Sequence, residues 1–366
     1  MSDNRRYAGA LSAIMNGIAD VWRSRRVQPP ELDSERMDGS WCLITGASSG
    51  LGFETAAILL RRGANLIVAS RSAGPELLRR LRERVVEAEG VRSAGTTPEI
   101  EAIPTDLASL ESVEALVTEL ERRGRRFAVV VFNAGAVASR ARRTQDGFDE
   151  MLQINYLSNH LLATRLVESG CVDLSASAAN GRPARFVFVS SEAHRSSPDV
   201  PETDLLDIGG YGMRESVRWY AYSKLLLTAF TEELSRLYNP NDETRLTVLT
   251  MCPGAMRTGI AGDAPGILQP LIRLVLRLAF PGPEKSARMV AHLASSPRFN
   301  STSGLYFHLS SRKERDARAR DPELGARLWR ETEGVFADQA DRGRVTARPP
   351  LSSFSRNGVL RGPLRT

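Results

Sequence analysis

The chain has 366 residues, is 42% hydrophobic and carries a net charge of +6, which allows one well-buried domain with extensions or two small ones. Lys224, Lys285 and Lys313 are the only lysines among 49 basic residues; acidic residues are interspersed with the arginines, and neither zinc-finger spacing nor an aromatic-studded basic groove occurs, so a nucleic-acid partner is not expected. Cys42, Cys171 and Cys252 are too far apart for a disulfide framework, the four histidines are scattered, and no window has the long uncharged run of a membrane span or a secretory leader, so a metal-free cytoplasmic protein is expected.

Residues 1–38 read as an N-terminal extension. YAGALSAIMNGIADVW is a short mixed helix candidate, followed by Arg23, Arg25 and Arg26 and a break at Pro29-Pro30. Packing on the domain is favoured there over contact with a membrane surface. The domain proper, 39–335, opens with the apolar WCLIT, passes a glycine-rich turn and continues as the helix candidate GFETAAILLRRG and the strand ANLIVASR. The alternation continues with a charged helix near 75–89, strand EIEAIPTD, helix SLESVEALVTELERRG, strand FAVVVFNAG, a long helix over 147–169 and strand RFVFVSSEAH. A helix over 220–236, strand LTVLTMCPG and GLYFHLS complete the series. Short buried runs switching to amphipathic helices predict a doubly wound, mostly parallel Rossmann-type α/β sheet with helices on both faces.

Three irregular stretches interrupt this order. Residues 192–218 contain Pro198, Pro201, Gly209, Gly210 and Gly212 and read as a substrate loop or a structural surface loop. ILQPLIRLVLRLAF, 267–280, is strongly apolar with Arg273 and Arg277 on one helical side, and is balanced between a helix packed on the domain and a lid over a lipophilic substrate; both readings are favoured over membrane insertion, and the arginines suit a peripheral contact over a span. Residues 336–366, rich in Arg, Pro, Ser and Gly, read as a flexible or wrapped C-terminal tail.

The turn Thr45-Gly46-Ala47-Ser48-Ser49-Gly50-Leu51-Gly52 follows the first strand and opens a helix. Its glycines permit a tight turn and close backbone approach, while exposed N–H groups at the helix start favour a pyrophosphate. The second strand ends in Ser70-Arg71, not in an acid that would hold an adenosine ribose; Arg71 can pair with a 2′-phosphate, so NADP is favoured over NAD. Asp106 and Leu107 follow the third strand, where they can address adenine. Asn133, Ala134 and Gly135 follow the fourth, where small residues allow close approach.

Tyr220 and Lys224, four apart, share one face of a helix; Tyr222 should project elsewhere. A cationic lysine would favour the phenolate, letting Tyr220 take an alcohol proton or donate one to a carbonyl, and Lys224 could also hold a nicotinamide ribose. Ser191 is the choice for polarising the carbonyl, with Ser190 the alternative. Asn155 can support a water or backbone bond leading to Lys224, and His194 reads as either a substrate contact or a loop cap.

TGASSGLG at 45–52, NAG at 133–135, Asn155, Ser190-Ser191, YAYSK at 220–224 and PGAMRT at 253–258 together resemble the short-chain dehydrogenase/reductase family over about residues 40–310. The resemblance implies a tetrad of Asn155, Ser191, Tyr220 and Lys224, a nicotinamide bordered by Pro253, Gly254 and Thr258, and a homodimer or homotetramer. Phe132 departs from the asparagine often found before NAG. ITGASSGLGFETA, Ser70-Arg71, DLASLESV and the long Ser191-to-Tyr220 interval are similar to the retinol dehydrogenase and WW-domain oxidoreductase branch, which implies an NADPH-dependent enzyme for hydrophobic alcohols or carbonyls. The competing expectation is an NADPH-binding scaffold or redox sensor without turnover.

Overall fold

The computed structural model describes residues 36–89, 97–174, 182–254 and 282–347. Eight strands form one sheet: β1 (Trp41–Thr45), β2 (Asn65–Ser70), β3 (Ile100–Pro104), β4 (Val129–Phe132), β5 (Ala184–Val189), β6 (Leu246–Cys252), β7 (Leu305–His308) and β8 (Ser311–Arg312). Their order is β3-β2-β1-β4-β5-β6-β7-β8. β3 through β7 are mutually parallel, and β8 returns antiparallel on β7. This is the doubly wound, mostly parallel Rossmann-type sheet expected from the sequence. The chain reverses its winding between β1 and β4, and the carboxyl ends of strands at such a switch point open a ligand crevice.

Strand periodicity divides the core. Val130, Phe132, Phe186 and Phe188 face one layer, whereas Val129, Val131, Val187 and Val189 face the other. The second layer is built on α1 (Gly50–Arg61), α2 (Pro75–Glu89) and α6 (Glu284–Ser295). The first carries α3 (Leu110–Arg122), α4 (Glu150–Leu152, Gln153–Leu157 and Ser158–Glu168 in succession), α5 (Met213–Tyr238) and α7 (Pro322–Asp341). Phe132 stacks on Phe188 with ring centroids 4.1 Å apart, so the departure from the family's asparagine is an aromatic core contact.

α4 begins at Glu150–Leu152, widens into a π turn over Gln153–Leu157 and resumes as Ser158–Glu168. The amide of Asn159 donates to the carbonyls of Ile154 and Asn155 at 3.1 and 3.0 Å, satisfying oxygens within the wide turn.

The boundary drawn at 335 falls inside α7. Leu324, Leu328, Thr332, Phe336 and Gln339 are buried along it, and Val345 packs beyond its end. Residues 336–347 therefore belong to the folded domain; their polar composition obscured an apolar face that repeats about every four residues. The 192–218 stretch also contributes to the core through Leu205, Leu206, Ile208 and Tyr211. The phenol of Tyr222 donates to Leu205 O at 3.0 Å, which accounts for its pointing away from the reacting face. Residues 1–35, Thr258, the 267–280 helix candidate and 348–366 lie outside the described residues. Among the described residues, no helix is long and apolar enough to cross a membrane, and no group of three His, Cys, Asp or Glu side chains is placed to hold a metal.

Candidate active site

The glycine turn and the NAG segment form one interlocked surface at the ends of β1 and β4. Gly46 has φ +68, and a Cβ there would lie 2.8 Å from Ala134 Cα. A Cβ on Gly52 would lie 2.4 Å from Asn133 Nδ2. That amide donates to the carbonyls of Thr45 and Gly46, both at 3.0 Å. The Thr45 hydroxyl accepts from the backbone N–H groups of Asn133 and Ala134, both at 3.1 Å. By contrast, Gly50 has φ +59 and open space around its missing side chain. After Ser48 and the N-cap Ser49, it begins α1 with Leu51, and the first turn contains no acid. A close-packed floor and an open, electropositive helix start suit a dinucleotide pyrophosphate.

The same surface continues into the polar cluster. A Cβ on Gly135 would meet Asn155 Oδ1 at 3.2 Å and Lys224 Nζ at 3.3 Å. Asn155 is fully buried in the π turn; its Oδ1 accepts from Ala136 N at 2.8 Å, and its Nδ2 donates to Ala136 O at 2.9 Å and to Ser223 Oγ at 3.0 Å. Its main-chain carbonyl is held by Asn159, and its side chain ties the NAG loop to α5. Lys224 Nζ donates to Val189 O at 3.1 Å, and burial lowers its pKa to about 8.

Tyr220 hydrogen-bonds Ser191, but burial outweighs that bond and pushes the phenol up to about 12. The expected direct pull of Lys224 on the phenolate is not what sets this value. Lys224 Nζ lies 5.9 Å from the Tyr220 ring centre and is turned to Val189. Ser190 is buried and shares a 2.8 Å hydrogen bond with Thr228, leaving Ser191 as the serine that reaches Tyr220.

The sequence pattern of the short chain dehydrogenases matches residues 40–199. Mouse (Mus musculus) retinol dehydrogenase 14 is 33% identical over 334 residues, covering 88% of this chain and 95% of that protein. Mouse polyprenol dehydrogenase is 30% identical over 326 residues, covering 88% and 90%. This chain belongs to the short-chain dehydrogenase/reductase family. A crystal structure of an uncharacterised protein from Mycobacterium paratuberculosis superposes with a TM-score of 0.60 at 26% identity, covering 83% of this chain and 95% of that one.

In this short-chain dehydrogenase/reductase, the far end of the crevice lies at β2 and β3. Ser70 is buried, and its hydroxyl has no hydrogen-bond partner among the described residues. Exposed Arg71 and half-buried Asp106 line an open cleft of about 520 Å³ together with Arg142 and Arg143. Asp106 Oδ1 accepts from Ala108 N at 3.0 Å, and Leu107 O accepts from the Ser158 hydroxyl at 2.6 Å, so this loop is shaped before any ligand binds. The orphaned hydroxyl and the guanidinium at the end of β2 lie where the adenosine half of a dinucleotide would sit. At the other end Gly254, φ +76, packs against Leu309, and Pro253 O accepts from Ser286 Oγ at 2.8 Å.

Residue-by-residue reading of the sequence missed three groups in this site: Thr45, Ser223 and Glu192. Thr45 and Ser223 sit within the recognised motifs, Thr45 before the glycine turn and Ser223 on the helix beside Lys224. Glu192 is buried directly after Ser191 and accepts from Tyr306 at 2.8 Å and Lys313 at 2.6 Å. Those partners are over a hundred residues away, so no local signal marks it. His194 is fully buried with both ring nitrogens occupied, which makes it a structural link and not a substrate contact.

Proposed function

We propose that the protein is an NADP-dependent oxidoreductase that interconverts a hydroxyl and a carbonyl on a lipophilic substrate, with Tyr220 as the acid/base. The observation that carries this reading is that Asn155 and Lys224 meet the NAG backbone beside the glycine cradle, while Ser191 hydrogen-bonds Tyr220 one helical turn from Lys224. The glycine turn at 46–52, the NAG segment and Lys224 would hold a nicotinamide dinucleotide, which when bound would supply hydride transfer to or from the substrate carbon. In reduction Tyr220 donates its phenolic proton to the forming alkoxide oxygen; in oxidation it accepts the proton of the alcohol. Ser191 is close enough to Tyr220 to donate to that same oxygen and polarise it.

Lys224 holds the backbone at Val189 and lies beside Gly135, where its ammonium can also reach the hydroxyls of a ribose. Asn155 keeps Ala136 and Ser223 in register, so the loop and the helix that carries Tyr220 move as one. Arg71 and the buried Ser70 hydroxyl favour the phosphorylated dinucleotide. The names of the retinol and polyprenol dehydrogenases support a lipophilic alcohol or its carbonyl counterpart as substrate.

The test is anaerobic NADPH consumption across hydrophobic aldehydes and ketones, with Tyr220→Phe in parallel. Alcohol formation that falls at least about 100-fold in Tyr220→Phe, with unchanged NADPH affinity, is expected. Undiminished turnover in that variant would remove Tyr220 from the proton step, and NADPH binding without turnover across the panel would favour a sensor.

A further inference from the structure

Ser191 is held from behind by side chains that never reach the reacting atoms. Ser191 caps a short 3₁₀ turn, Glu192–Ser196, and its hydroxyl accepts from Ala193 N at 3.2 Å. His194, in the middle of that turn, folds back so that Nδ1 lies 2.7 Å from the Ser191 carbonyl oxygen. Its Nε2 lies 3.1 Å from the backbone N–H of Asp316. A backbone N–H can only donate and a carbonyl can only accept, so the two contacts select one neutral tautomer: Nδ1–H donates to Ser191 and Nε2 accepts from Asp316. The ring is fully buried and rests edge-on against Tyr306, with centroids 5.3 Å apart.

We propose that His194 is a positioning residue: in its Nδ1–H tautomer it clamps the Ser191 backbone to Asp316, in the segment after β8, and so sets where the Ser191 hydroxyl meets Tyr220. The neighbouring contacts act in the same sense. Arg318 pairs with the Asp316 carboxylate at 2.9 Å and donates to the carbonyls of Arg195, Ser197 and Pro198 at 3.2, 3.1 and 3.0 Å. The turn therefore cannot slide relative to residues 316–318 without breaking several hydrogen bonds, and the Ser191 hydroxyl, bonded to Ala193 N within that turn, is carried with it. A small shift of a polarising group relative to a reacting oxygen is costly, which gives the clamp a catalytic consequence. The proposal rests on reading Ser191 and Tyr220 as the reacting pair.

Two substitutions separate the halves of the clamp. His194→Asn places an amide N–H near the position of Nδ1 and keeps the bond to Ser191; His194→Gln extends an amide oxygen toward Asp316 and loses it. The readout is the ¹³Cζ resonance of Tyr220 in the full chain with labelled tyrosine, assigned by its disappearance in Tyr220→Phe, since that carbon reports hydrogen bonding at the phenol without any substrate. Ser191→Ala is expected to move the resonance. His194→Gln should move it in the same direction, His194→Asn should leave it near the wild-type position, and His194→Gln should add nothing in the Ser191→Ala background.

A resonance unmoved by His194→Gln but moved by Ser191→Ala would overturn the clamp and leave the reacting pair intact. A resonance unmoved by Ser191→Ala would overturn both. In NADPH-dependent aldehyde reduction, His194→Gln should lower kcat by about tenfold with KM within about twofold, and a loss confined to KM would contradict the positioning role.

Discussion

The same histidine gives the fold a specific sensitivity to acid. Burial lowers the His194 pKa from its ordinary 6.5 to about 4; Arg195 adds to the lowering, while the Ser191 carbonyl, Glu192 and Asp316 oppose it and lose. The folded protein therefore holds a neutral ring in a pH range where the unfolded chain binds a proton. The unfolded state takes up more protons through that range, so stability is complete above about 6.5 and falls as the pH drops toward about 4. At 1.36 kcal/mol for each tenfold change in proton affinity, this one group withdraws about 3 kcal/mol by about pH 4. That is a sizeable part of the 5–15 kcal/mol typical of a folded domain.

The assay is urea unfolding of the wild-type chain and His194→Asn at a series of pH values from about 7 to about 4, analysed by linear extrapolation. His194→Asn lowers stability at neutral pH but cannot titrate, so the two stability curves should converge by about 3 kcal/mol as the pH falls. His160, also buried and also lowered in pKa, contributes equally to both proteins and drops out of the difference. Curves that stay parallel across the whole range would refute the buried neutral histidine.

Gly46→Ala forces a side chain into φ +68 and against Ala134, a cost of about 1–2 kcal/mol for the left-handed backbone before the steric clash is counted; calorimetry should show a lower Tm and titration a weaker NADPH affinity, and wild-type values for both would contradict the packed cradle. Arg71→Ala should weaken NADPH binding by roughly tenfold or more while leaving NADH binding within about twofold, and equal losses would remove Arg71 from phosphate recognition. Phe336→Ala empties a buried site beside His160 and should destabilise the protein by about 3–5 kcal/mol in urea unfolding, whereas a peripheral tail residue would cost almost nothing.

The order of strands and helices could be read locally. Runs such as WCLIT and FAVVVF are short, apolar and followed by turn residues, and the intervening helices repeat their apolar positions at helical spacing, so each element carries its own signal. The glycine turn was equally legible, because positive φ at Gly46 and Gly50 is a demand that one residue type meets at low cost. Tyr220 and Lys224 were paired by helical spacing alone.

Less of the long-range packing was visible. Polar composition placed residues after 335 in a tail, although the buried face of α7 continues through Phe336 to the polar Gln339, whose amide donates to Asp146 O far away in the chain. The helix over 147–169 carried no local mark of its π turn, which depends on Asn159 bonding two backbone carbonyls.

The amino-acid sequence by itself determined the Rossmann-type alternation, the cradle and the identity of the polar residues that gather at the strand ends, since each of these rests on backbone geometry or on spacing within one element. Only the tertiary structure decided which serine faces Tyr220, what Lys224 bonds and how His194, Glu192 and Asp316 hold the site. Those choices depend on burial and on hydrogen bonds between residues that lie in different elements of the chain, and no local pattern encodes the desolvation that makes such partners necessary.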